Sequence, residues 1–215
     1  MSETTPPKPA PFDVQREFEL DVRSPEGLPV LTLVRWPSDQ EWSQRIRAIK
    51  HIQTDLGRGI KQFRTLHNSE ADFNIYEKIK LNGAPAIEPE EATRLLDIMA
   101  KCDVRDVSFV GAGAVVTLAV LGGTVKHTVQ RVPSAKQQRL LTEGASSIHQ
   151  LPNSQTQYRM SLEIPAQIWA DCGGAGEGYE NGIVPNIHKD SAIRAVYHKL
   201  DQEITARIDE SSDDF

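Results

Sequence analysis

Cysteine and aromatic residues are scarce in this chain, and the common metal, nucleotide and nucleophile motifs are missing. Two cysteines, Cys102 and Cys172, stand in 215 residues. That is too few for a disulfide framework and fits a reducing compartment. Six histidines are scattered with no His-Glu-x-x-His and no Cys-x-x-Cys, so no metal site is expected. No glycine loop ends in Gly-Lys-Ser/Thr, and no Gly-x-Ser-x-Gly elbow occurs. No catalytic residue, cofactor or metal ligand is therefore assigned, and the expected protein is not an enzyme.

Basic charge is also in short supply. The net charge of -6 argues against a general nucleic-acid coat. The N-terminus lacks an apolar core behind a basic start, so no secretory signal is expected. Residues 107–125 carry no charge, close to the length of a membrane span. They also hold Gly111, Gly113, Gly122 and Gly123 and many valines. Two strands joined by a Gly-Ala-Gly turn fit better than a span. The expected location is cytoplasmic or virion-associated, with no membrane partner.

What the chain does contain is itself, twice. Thr32, Arg35, Pro37 and Ser38 recur as Thr128, Arg131, Pro133 and Ser134, at an offset of 96. Pro85, Ile87, Ala92 and Arg94 recur as Pro185, Ile187, Ala192 and Arg194, at an offset of 100. Each copy reads as a hairpin, then Pro-Ser, then helices. The hairpins span 18–35 and 116–131, with turns at 24–27 and at Gly122-Gly123. Ser38 or Ser134 caps the first helix, with Glu41 or Gln137 closing a capping box. In copy one that helix is expected over 39–56, with Trp42, Ile46, Ile49 and Leu56 on one face. A second helix starts near Ser69 or Pro165, and a third covers 88–101 or 189–208.

The fold class is thus α+β, a tandem duplication of a β-hairpin plus two to three helices. The two hairpins are able to share one antiparallel sheet. Residues 1–13 read as a disordered, proline-rich arm and 14–104 as repeat one. Residues 105–208 read as repeat two, and 209–215 as an acidic tail that frays. The segment 102–106 is a short linker, and one body or two domains are both open. Between Ile75-Tyr76 and Ile168-Trp169 the offset is 93, so copy two gains seven residues before Pro185. They fall in the glycine-rich loop 172–182, expected to be mobile or sharply bent.

Partner contact is the expected use of the surface. Trp36 ends a hairpin strand and is a candidate interface anchor. Tyr179 is the aromatic candidate in the glycine-rich loop. The run from residue 45 to 64 carries Arg45, Arg47, Lys50, Arg58, Lys61 and Arg64 against one acid, Asp55. On a helix, Arg47, Lys50, His51 and Thr54 would share one face. A solvated helix face, or a patch for an acidic protein partner, is favoured, and a nucleic-acid module using 45–64 is the first alternative. An enzyme with a site between the repeats, near Cys172 and His188, is the second.

The hairpin ending in Thr32-Leu33-Val34-Arg35-Trp36-Pro37-Ser38, repeated as Thr128-Val129-Gln130-Arg131-Val132-Pro133-Ser134, resembles the start of phage tail-assembly proteins of the chaperone type. The resemblance covers about 20 residues of each copy. It implies a non-enzymatic protein of phage-like tail morphogenesis, whose partners are other tail or virion proteins. It implies no catalytic residues, and it leaves the partner and the oligomeric state open.

Overall fold

Pro37 and Ser38 close a strand and open a helix, and Pro133 and Ser134 repeat that step with the same backbone. Both serines adopt φ -63° and ψ 161°, accept the N3 amide, and are completed by Glu41 or Gln137. The computed structural model describes residues 11–23, 27, 29–56, 58, 60–144, 146–152 and 155–212. The chain is α+β.

Copy one runs β1 (Glu17–Arg23), β2 (Pro29–Arg35), α1 (Asp39–Ala48), β3 (Lys50–Asp55), β4 (Lys61–Leu66), α2 (Ser69–Ile79) and α3 (Pro89–Ala100). Phe18, Leu20 and Val22 alternate inward from β1, and α3 covers them with Ala92, Leu95, Leu96 and Met99. Copy two opens with an added strand, β5 (Asp103–Val110). It then repeats the order as β6 (Gly113–Val120), β7 (Gly123–Val129) and α4 (Ala135–Arg139), which runs into a π-turn, Leu140–Gly144. Next come β8 (Ser146–Leu151), β9 (Gln155–Met160), α5 (Glu163–Asp171), β10 (Ala175–Glu177) and α6 (Asn186–Ser212). As α3 packs on α2 and β1, so α6 packs on α5 and β6. One continuous core joins both copies, from Phe18, Trp36 and Trp42 to Leu118, Trp169 and Ile193.

The strands form three antiparallel sheets: β1-β2, β10-β7-β6-β5 and β4-β3-β9-β8. The two hairpins read from sequence, β1-β2 and β6-β7, therefore do not share a sheet. A second pair of hairpins, one from each copy, does. The expected helix over 39–56 stops at Ala48, where the cap residue Ile49 turns extended. Trp42 and Ile49 are buried as the helical spacing requires, but Leu56 lies at the far end of β3 and is exposed.

The expected linker 102–106 is mostly strand, because Asp103 begins β5. The uncharged run 107–125 is split over β5, β6 and β7, and no helix among the described residues is long and apolar enough to cross a membrane. Of the expected arm, residues 1–10 lie outside the described residues, whereas Phe12 is buried in the core. Of the expected tail, 209–212 continue α6 as helix and 213–215 lie outside the described residues.

Of the two expectations for the glycine-rich insertion, mobile or sharply bent, the structure shows the second, with left-handed φ at Gly173, Gly178 and Gly182. The insertion forms β10, which extends β7 with Gly176 opposite His127, and a 3-10 turn at Glu180–Gly182. Glycine is required at 174 for close approach, since a Cβ there would stand 2.3 Å from the Trp169 ring. Gly174→Ala should cost about 1–3 kcal/mol by overpacking, read as a lowered urea midpoint. An unchanged midpoint would show that the Trp169 ring yields freely.

Candidate functional site

The β4-β3-β9-β8 sheet stands apart from the core. None of its described side chains belongs to the core cluster, and it meets the rest of the chain mainly through α1 and the π-turn. Every described residue of β4 but Leu66 is exposed, and Phe63 is 69% exposed. At the tip, the Leu56 amide donates to the Ile60 carbonyl at 3.0 Å, and Arg58 takes a left-handed φ of 53°. Leu56 and Ile60 are both exposed beside it. The sheet thus carries three large apolar side chains at its tip and edge and contributes none to the core.

The basic run does not form one helix face. Arg45 is 2% exposed; it donates to Asp72 at 3.2 Å and to Asp97 at 2.5 Å, between α1, α2 and α3. It is a buried ion pair, unavailable to a partner. Arg47 reaches across to Glu163 at 2.7 Å. Lys50, Lys61 and Arg64 are exposed on the sheet and Arg58 at its tip. Strand alternation puts Lys50 and Arg64 on one face, together with Arg159, and Lys61 on the other. Gly57 and Gly59 lie outside the described residues.

The two aromatic candidates are also interior. Trp36, 4% exposed, is ringed by Phe12, Phe18, Trp42 and His188 at centroid distances of 4.9–5.8 Å. Tyr179, 8% exposed, lies between two buried imidazoles. Its hydroxyl is 2.6 Å from Nε2 of His127 on β7 and 3.1 Å from Nδ1 of His188 on α6. No sequence motif marks this trio, which is brought together by the insertion and by two elements of copy two. Burial pushes His127 down to about 4 and His188 down to about 3. Burial likewise raises the Tyr179 phenol. The trio is therefore neutral near pH 7. A phenol between two neutral imidazoles can donate to one ring nitrogen and accept from the other. Nδ1 of His127 and Nε2 of His188 have no partner.

That arrangement ties the insertion to β7 and α6 within copy two and has no exposed nucleophile. Cys172 is buried at the end of α5, where its carbonyl accepts the Gln130 and Arg131 amides. Burial raises its thiol, and pushes that of Cys102 up to about 11. Among the described residues no group of three or more His, Cys, Asp or Glu is placed to hold a metal.

Two open clefts lie over the repeated Arg-x-Pro-Ser steps. The first, about 430 Å³, is lined by Arg35, Trp36, Ser38, Val14, Ile183 and Pro185 among others. Arg35 forks onto Glu41 at 2.7 and 2.9 Å. Burial alone would raise the Glu41 carboxyl, but hydrogen bonds from Arg35 and Ser38 hold it down at about 2. In copy two the neutral Gln137 replaces Glu41, and Arg131 turns instead to the Asp171 carbonyl at the end of α5. The repeated arginines are thus internal braces with different partners.

Comparison with known proteins gave no matching family model, no matching curated protein and no matching solved structure.

Proposed function

We propose that the chain is a non-enzymatic structural or assembly protein of a phage-like particle, acting through protein contacts. One observation carries the reading: the sheet that stands outside the core and exposes Leu56, Ile60 and Phe63. Exposed apolar groups with interspersed charge suit a protein interface. The hairpin-Arg-x-Pro-Ser-helix step supports the phage-like setting, since it resembles tail-assembly proteins in both copies. The dispersal of the basic run weighs against the nucleic-acid alternative, and the buried, neutral His127–Tyr179–His188 trio weighs against an enzyme site there.

A photo-crosslinking amino acid in place of Ile60, in the cells that make the particle, tests the reading. The expected adducts join the chain to a tail or virion protein. Adducts removed by nuclease, or no protein adduct, would overturn it.

A further inference from the structure

The order and direction of four strands carry the inference. In β4-β3-β9-β8 every neighbour is antiparallel. From one edge, the sheet reads second strand of copy one, first strand of copy one, second strand of copy two, first strand of copy two. Directions alternate, so the two hairpins point the same way. A two-fold axis would reverse either the order or the directions, and neither is reversed. The hairpins are related by translation along the sheet.

The levels agree. Thr65, His51, Tyr158 and Ile148 stand side by side, and so do Gln62, Thr54, Gln155 and Leu151. His51 thus corresponds to Ile148 at an offset of 97, one more than at the caps. The π-turn before β8 accounts for that residue, since a π-turn holds one more than an α-turn. Thr65 corresponds to Tyr158 at 93, the offset that α2 and α5 keep.

A translational contact leaves its two halves unused at the ends. Inside the chain, a first strand (β3) meets a second strand (β9). At the outer edges a first strand (β8) and a second strand (β4) remain, and among the described residues neither has another neighbour. We propose that β8 of one chain pairs with β4 of a second copy, repeating the β3–β9 contact and continuing the sheet from chain to chain. The occupant is a second copy because the missing edge at each end is the one the other end offers. Transferring the internal register places Ile148 opposite Thr65 of the next chain and Leu151 opposite Gln62. It also covers the exposed edge that bears Phe63. Lys61 and Arg64 on β4 discourage unselective pairing, as charges on edge strands do. A head-to-tail contact between unlike edges builds rings or filaments rather than closed pairs.

The inference rests on the assembly reading above and names the partner. Sedimentation of the purified chain over a concentration series should show species larger than two chains. Cysteines placed by Q62C and L151C should then join between chains, because directly opposed antiparallel residues suit disulfide geometry. The double variant should give a ladder of multimers, and each single variant should give no linked pairs. A chain monomeric at every concentration, or disulfides joining like to like in the single variants, would overturn it. If the chain is monomeric yet position 60 still crosslinks to a virion protein, self-pairing fails and the assembly reading stands. Self-pairing with no foreign adduct reverses that outcome.

Discussion

Arg45→Leu is expected to lower the unfolding free energy by about 3–5 kcal/mol, the range for breaking a buried ion pair. The reason lies in what is left behind. Asp72 is 1% exposed, and its Oδ2 already has no hydrogen-bond partner. Without the guanidinium, its Oδ1 also loses the Arg45 donor. Asp97 is half exposed and can turn to water, so it loses less. The double variant Arg45→Leu/Asp72→Leu should recover most of the loss, because replacing both charges by apolar groups is often neutral. Urea denaturation of the wild type and the two variants checks this. Equal losses in the single and double variants would mean that Arg45 acts through packing on Trp42, whose ring centroid lies 5.9 Å from its Cζ.

The second large effect is acid lability from His127 and His188. Unfolded, each titrates near 6.5; folded, His127 stays neutral down to about 4 and His188 down to about 3. Between those values the unfolded chain binds more protons. Stability is therefore full above pH 6.5 and falls as the pH drops toward 4. At ~1.4 kcal/mol per pKa unit, the two sites together remove on the order of 6 kcal/mol by pH 4. The Glu41 carboxyl, held at about 2, adds its loss only below its ordinary 4.5, so the first part of the decline belongs to the histidines, with a share from His51, which burial also lowers. The urea midpoint followed from pH 7.5 downward should fall steadily from pH 6.5, and His188→Phe should make that slope clearly shallower. A flat profile down to pH 5 would rule out the neutral, buried trio.

The repeated step was legible because its chemistry is local. Proline, a serine cap and an acceptor three residues on determine the same backbone twice, and Gly27 and Gly122, both with positive φ, mark the hairpin turns. The α+β class and the helices after Ser69 and Glu88 followed from the same kind of signal. The β3–β4 and β8–β9 hairpins were not legible. No described residue of β3, β4 or β9 is fully buried, so no apolar alternation is imposed on them, and Ile46, Ile49 and Leu56 happen to keep helical spacing across the break at Ile49. Composition counts Arg45 as surface charge, whereas its burial is set by Asp72 and Asp97, 27 and 52 positions away. Trp36 and Tyr179 were misplaced for a related reason: Phe12, expected in a loose arm, is the ring that covers them.

Phe12 also sets when the molecule can finish folding. Its amide donates to the Gly178 carbonyl at 2.7 Å, and its own carbonyl accepts from Glu180 at 2.8 Å. As the chain leaves the ribosome, Phe12 emerges 166 and 168 residues ahead of its partners Gly178 and Glu180. Copy one is complete in sequence by residue 100 but still lacks a wall until copy two has closed around the insertion. Such a closure of sequence-distant ends is slow, since its loop entropy is lost before the contact forms. The two copies repeat one order of elements, yet a single core runs through both. A chain stopped after copy one would lack His188, one of the rings against Trp36, and so expose apolar surface of the kind that aggregates.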